Sequence, residues 1–250
     1  MTALSDADIE AIERATVEAV APEAKEEWSG WLLPFDHGTI SRAKAAVPLR
    51  HAPFDAEGVI DAIETRYRDR GLAPAFRLAD VPPFEPIARL LAARGYHGAK
   101  ASIVQTGSVG HMRNVTSAPP ADVDDTPDVG WAAMFLGEGF EPVDGANRVR
   151  ALTRAPDSRY ASLRIDGRTV ACGTIAFGHG WASIHGMRTE MAHRGQGHAA
   201  RVLAGLAGAA QARGVTRVFL QVEADNPAAH ALYRRAGFRS AWHYRYWQTN

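Results

Sequence analysis

The chain has 250 residues, of which 46% are apolar, and its 28 Lys and Arg are balanced by 28 Asp and Glu. That balance excludes a net field favouring extended nucleic acid or an anionic membrane, while the apolar share can bury a proper core. The single cysteine, Cys172, excludes an intramolecular disulfide and fits a reducing cytoplasm, and no apolar run approaches the ~18 residues of a spanning helix. The start, Met1 to Leu4 followed by acidic residues, has neither the basic residues nor the apolar stretch of a signal peptide.

In chain order, Ser5 is placed to cap a first helix, with Asp8 in the capping-box position and Ile9, Ile12, Val17 and Val20 as its apolar stripe. Pro22 ends it. Extended segments follow at 30–35 and 40–49, then a helix over 55–70 with Val59, Ile60, Ile63 and Tyr67 inward and Gly71 as its stop. A short strand at 75–78, a helix over 84–94 closed by Gly95 and a strand at 99–105 complete the first half. Residues 116–128 are rich in Pro, Asp, Ala and Thr, a linker composition that is exposed and hard to pack. A boundary near 107–120 divides the chain into units at 1–108 and 109–250.

The second half opens with short helices at 130–139 and 147–155. Residues 158–165 alternate as a half-buried strand, Asp166-Gly167 is a two-residue hairpin signal, and the return strand covers 169–177. A third strand at 181–189 leads to a helix ending at Arg213, then a strand at 216–223, a helix at 227–236 and a last strand at 239–247. Three antiparallel strands, a crossover helix and a parallel strand make an α/β sandwich. Ala93-Arg94-Gly95-Tyr96 and Arg235-Ala236-Gly237-Phe238 each join a helix to a strand, and the matching order of elements around them points to an internal duplication.

The segment that carries chemistry is Arg194-Gly195-Gln196-Gly197-His198-Ala199, between a strand and an amphipathic helix. Glycines let backbone approach an anion, and the first helical N–H groups with the helix dipole form a phosphate cradle. The segment is neither a P-loop nor a dinucleotide fingerprint. Arg194-x-x-Gly197-x-Ala199 resembles the pyrophosphate-binding signature of the GNAT superfamily of N-acetyltransferases. Asn226-Pro227-Ala228-Ala229-His230-Ala231-Leu232-Tyr233, followed by Ala236-Gly237-Phe238, is similar to that family's second signature.

The resemblance implies a mixed-sheet acyl-CoA N-acyltransferase sandwich in two tandem GNAT-like units, with acetyl-CoA as acyl donor and direct attack by the acceptor amine. It implies that the backbone of Met187, Arg188 and Thr189 pairs with pantetheine and that Arg194, Gly195, Gln196, Gly197, His198 and Ala199 hold the pyrophosphate. Asn226 is expected on the pantetheine arm, and Tyr233 as the proton donor to the leaving thiolate. The base is open among His185, Glu190 and Glu223: Glu223 ranks first by position, His185 is either base or structural, and Glu190 reads as a surface charge. Ten histidines show no pair at ligand spacing on one helix, so no metal is expected. Cys172 reads as packing, and the C-terminal Trp242, His243, Tyr244, Tyr246 and Trp247 as sheet core and surface, not a nucleic-acid platform.

The first half lacks both signatures, with Arg50-His51-Ala52-Pro53-Phe54 where the glycines would lie and Leu91 in the place of the tyrosine. It reads as a degenerate, structural or substrate-covering unit, with Trp28 and Trp31 either walling the acceptor site or filling that unit's core. The family ends in two strands after the last helix and this sequence has one. The other is expected from the first half, around 102–115, or from another subunit. The expected reaction is acetylation of a small-molecule primary amine, such as an amino acid or an antibiotic-like compound, by a monomer or homodimer, with no nucleic-acid or membrane partner. The alternatives are a protein lysine or N-terminal acetyltransferase and a non-catalytic acyl-CoA sensor.

Overall fold

The computed structural model describes residues 4–137 and 141–249. The chain's first three residues, part of the stretch read for a leader, and the end of the helix expected at 130–139 lie outside them. Helix α1 (Asp6–Glu18) starts at a complete capping box: Ser5 Oγ accepts from the Asp8 N–H at 3.2 Å and Asp8 Oδ2 accepts from the Ser5 N–H at 3.1 Å. Ser5→Ala is expected to cost about 1 kcal/mol, read as a lower urea midpoint at unchanged m.

Strands β1 (Ala24–Trp28), β2 (Trp31–Phe35) and β3 (Val47–Pro48) form a small antiparallel sheet. The sequence pattern misses β1 because Ala-Lys-Glu-Glu-Trp is an edge with no apolar alternation and is largely exposed. A 3-10 turn, Ser41–Ala43, precedes β3. Then come α2 (Ala56–Arg68), β4 (Ala75–Ala79), α3 (Glu85–Ala93), β5 (His97–Ser108), α4 (Val109–Arg113), β6 (Asp122–Asp124), α5 (Val129–Ala133) and α6 (Pro142–Arg154). Strands β7 (Ser158–Ile165), β8 (Arg168–Gly178) and β9 (Trp181–Thr189) form the antiparallel meander, followed by α7 (His198–Ala212), β10 (Arg217–Glu223), α8 (Pro227–Arg235) and β11 (Arg239–Gln248).

One eight-stranded sheet runs through both halves in the order β4-β11-β5-β10-β9-β8-β7-β6. Its centre is a reciprocal exchange. After α3 the chain leaves β4 and inserts β5 beside β10; after α8 it leaves β10 and inserts β11 beside β4. β5 and β11 then pair antiparallel with each other. The strand wanting after α8 is thus supplied by the first half, as residues 97–108 instead of 102–115, because the chain beyond Ser108 turns into α4. Each half thus contributes an α-β-α-β unit, α2-β4-α3-β5 and α7-β10-α8-β11, to one shared sheet.

Of the two places expected for Trp31, the structure takes the core: it is 1% exposed, edge-on to Phe54 and Phe76 in the first half. Trp28 lies half-buried at that unit's edge under the Arg66 guanidinium. Residues 116–128 are not merely a linker, since β6 pairs with β7 and the Ala121 N–H donates to the Arg201 carbonyl. Edge pairing uses backbone groups and needs no apolar side chains. The aspartates that made the segment look unpackable hold Arg164, with Asp128 at 2.5 Å and Asp122 at 3.5 Å. Among the described residues no helix is long and apolar enough to cross a membrane.

Candidate active site

β9 and β10 are parallel neighbours only from Ala182↔Val218 to Ile184↔Leu220. β10 continues against β5 as far as Glu223↔Ser102, so β9 and β10 part beyond Ile184 and Leu220. At that fork β9 bulges. Thr174 faces His185 and Cys172 faces Arg188, which leaves Gly173 opposite both Gly186 and Met187. A bulge frees backbone groups from the ladder beside a site. Gly186 has φ +59°, and a Cβ there would sit 2.9 Å from Leu152 Cδ1 and 3.0 Å from Phe135 Cζ. Gly186→Ala is therefore expected to lower stability by about 1–3 kcal/mol and to displace the fork. The measurements are the unfolding midpoint and the rate of thiol release, and a variant matching the parent in both would refute the bulge's importance.

Below the bulge, Met187 packs toward Gly173, Val202 and Leu206 on the α7 side. Thr189 pairs with Ala171, and its carbonyl accepts from Arg194 Nε at 3.4 Å. The loop to α7 holds Gly195 at φ +77° and Gly197, the helix cap, at φ +80°. A Cβ on either would meet nothing within 4 Å, so the loop's backbone faces open space. Among the described residues no group accepts from the N–H groups of residues 195–199. His198, the first residue of α7, is buried, neither ring nitrogen has a partner among the described residues, and burial lowers its proton affinity. Gln196 Nε2 reaches the Ala192 carbonyl at 3.3 Å, and Ala199 follows His198 in the first turn of α7. Open donors at a positive helix end suit a diphosphate.

Asn226 caps α8, its Oδ1 accepting from the Ala229 N–H at 3.0 Å. Tyr233, one α-helical turn and more further on, is 7% exposed, with its ring edge-on to Phe238 in the core shared with α7. Burial alone pushes its phenol up to about 12.

The other face of the fork is polar and is roofed by the first half. Arg42 Nη1 donates to His185 Nδ1 at 3.1 Å and to Gln221 Oε1 at 3.2 Å. Since a guanidinium only donates, His185 Nδ1 carries a lone pair and its Nε2–H donates to Ser183 Oγ at 2.8 Å. Burial, and then Arg42, holds His185 well below its ordinary pKa, so it is neutral. Gln221 Nε2 bonds Thr16 Oγ1 of α1 at 3.0 Å. Glu223, two residues along the same strand face, is exposed. Glu190 is apart from these groups, accepting from Arg168 at 2.7 Å. Burial raises the Cys172 thiol far above its usual range, which keeps it protonated and unreactive.

Tyr233 thus packs on the α7 side of the sheet, while His185 and Gln221 meet Arg42 and Thr16 on its other face. Arg42 and Gln221 escape sequence reasoning. Arg42 lies 143 residues from His185, and no local motif ties them. The glycine within β9 was the one signal of the bulge.

A mixed sheet forked between two parallel strands, with a bulge on one and a glycine-capped helix after it, defines a GNAT-superfamily N-acetyltransferase dependent on an acyl-CoA donor. Residues 6–247 match the family described as "Probable histone acetyltransferase Rv0428c C-terminal", and the chain belongs to that family. It is 26% identical over 245 residues to "Uncharacterized N-acetyltransferase YobR" of Bacillus subtilis (strain 168), covering 95% of this chain and 98% of that one. A GCN5-related N-acetyltransferase from Kribbella flavida superposes with a TM-score of 0.73 at 18% identity, covering 100% of this chain and 96% of its own. A tandem GNAT protein from the clavulanic acid biosynthesis pathway does so at 0.59 and 17% identity, covering 91% and 83%.

Proposed function

We propose that this enzyme transfers the acetyl group of acetyl-CoA to the primary amine of a small molecule. The observation that carries the small acceptor is the roof: Thr16 and Arg42 of the first half bond Gln221 across the fork, closing the face that a long peptide would need open. In this reading the N–H groups of residues 195–199, with Arg194, hold the pyrophosphate. The backbone of Met187, Arg188 and Thr189 and the amide of Asn226 hold the pantetheine arm. Acetyl-CoA supplies an activated thioester carbonyl. The N–H groups freed at the Gly186–Met187 bulge stabilise charge developing on its oxygen.

As the amide bond forms and the C–S bond breaks, one proton leaves nitrogen and one reaches sulfur. Tyr233 is the proposed donor to sulfur. Glu223 is the proposed acceptor of the amine proton, directly or through water. His185 is the weaker candidate base, because Arg42 occupies its Nδ1 and Ser183 its Nε2. The divided unit 1–108 serves as roof and strand donor to 109–250.

The test measures thiol release from acetyl-CoA across small amines and a histone-tail peptide, alongside calorimetric binding of CoA. The family's description names a histone acetyltransferase, so turnover of the peptide alone would replace the small-molecule reading with a protein-lysine one. CoA binding without thiol release on any amine would leave a sensor.

A further inference from the structure

The cluster at the fork contains a charge that the reaction as described does not use. Arg42 is only partly exposed, and its bonded partners, His185 and Gln221, are both neutral. Among the described residues no carboxylate bonds Arg42, Glu223 included, and two carboxylates of neighbouring elements are committed elsewhere. Glu13 is paired with Arg77 in the core, and Asp144 is held by Arg148 at 2.6 Å and by Thr39 at 2.6 Å. Further positive charge stands close by: Lys100 Nζ donates to Ser41 Oγ, beside Arg42, at 2.9 Å. Burial, together with the Arg148 and Arg77 charges, makes the Arg42 cation harder to hold than an ordinary arginine. A guanidinium kept half out of water without a counter-ion, its planar fork of donors only partly used, is an anion receptor.

We propose that Arg42 binds an anionic group, a carboxylate or a phosphate, on the acceptor amine, so that the substrate is an amino acid or another amine carrying an anion a few bonds from its nitrogen. The inference rests on the acetyltransferase reading above and narrows its substrate class. Arg42 comes from the half of the chain that lacks the cofactor signatures. The first unit then contributes specificity as well as a strand, and duplication with loss of the cradle gains a physical reason. Glu223, on the Gln221 face of β10, would meet the amine end while Arg42 holds the acid end. The same charges argue against a lysine-rich tail as the natural acceptor, because a cationic peptide would meet Arg42 and Lys100 at the roof.

The experiment compares kcat/KM of the full chain for amino acids, their matched amides, aminoalkyl phosphates, and neutral and cationic amines. The wild type is run beside Arg42→Gln and Arg42→Lys, with the unfolding midpoint of each recorded. The expected result is that acids exceed their amides by about tenfold or more. Arg42→Gln should erase that ratio through KM, and Arg42→Lys should restore part of it. Preference between the carboxylate and phosphate arms identifies the anion. Equal rates on acids and amides, a preference for polyamines or the tail peptide, or an unchanged ratio in folded Arg42→Gln would overturn the proposal while leaving the acetyltransferase intact. If no amine is turned over, calorimetry of N-acetyl amino acids on the CoA-loaded protein decides. Binding of the acid but not the amide, lost in Arg42→Gln, supports the receptor, and no binding or equal binding overturns it. Failure of CoA itself to bind would strike the broader reading, and a protein that bound N-acetyl acids through Arg42 regardless would still meet this one.

Discussion

Replacing Tyr233 with Phe is expected to lower kcat by about 10²- to 10⁴-fold while leaving acyl-CoA affinity within a few-fold. The substitution removes one oxygen from a ring that stays packed against Phe238, so the core keeps its shape. Burial pushes the phenol up to about 12, so it is protonated throughout the neutral range. A donor with that pKa predicts a rate that does not fall with rising pH through Tyr233 ionisation until the solution is strongly alkaline. Single-turnover rates in wild type and Tyr233→Phe, at saturating donor and across pH, make the measurement. An unchanged kcat would mean that water protonates the sulfur and that Tyr233 only fills space. A fall in donor affinity as large as the fall in kcat would make it a binding residue.

Much of the local structure around the candidate site was legible because it is contiguous in sequence. The glycine loop and the helix it caps are contiguous, so Gly195 and Gly197 by their residue type alone declare a backbone that needs positive φ. Asn226 and Tyr233 share one short helix, and their spacing survives as geometry. The meander from Ser158 to Thr189 follows from alternation and from the Asp166-Gly167 turn. What could not be read is set by partners distant in sequence. β5 looks like a strand from its residues, but nothing in His97–Ser108 says that its neighbours are β10 and β11. Trp31 could stand in a wall or a core, and only Phe54 and Phe76 closing on it decide for the core. His185 as a bare strand histidine is an open candidate for base. With Arg42 on Nδ1 its tautomer is fixed and its basicity is spent, a fact that lives in the roof and not in β9.

Breaking the buried pair between Glu13 and Arg77 is expected to cost about 3–5 kcal/mol, the largest stability loss from a single substitution away from the fork. Glu13 on α1 is 2% exposed and Arg77 on β4 is 1% exposed, and Arg77 Nη2 donates to Glu13 Oε2. Burial pushes the Glu13 carboxyl above its ordinary range while Arg77 pulls it back. The Tyr244 ring lies 5.4 Å from the guanidinium, and two guanidinium nitrogens, Nε and Nη1, have no partner among the described residues. Glu13→Ala strands that cation in the core, and Arg77→Ala strands the carboxylate. Both should lower the urea midpoint sharply. The double variant Glu13→Leu with Arg77→Met removes both charges at similar volume and should regain most of the loss, because desolvation cancels much of what the pair contributes. Location adds a second consequence. Arg77 lies on the strand to which β11 pairs, at Tyr246↔Arg77, so a loosened α1–β4 contact weakens the half of the strand exchange supplied by the second unit. Hydrogen exchange should then rise first along β4 and β11 in Glu13→Ala, before the meander opens. A loss below about 1 kcal/mol would mean that water reaches the pair. Uniform exchange across the sheet would mean that the two halves unfold as one cooperative body, with the exchanged strands no weaker than the rest.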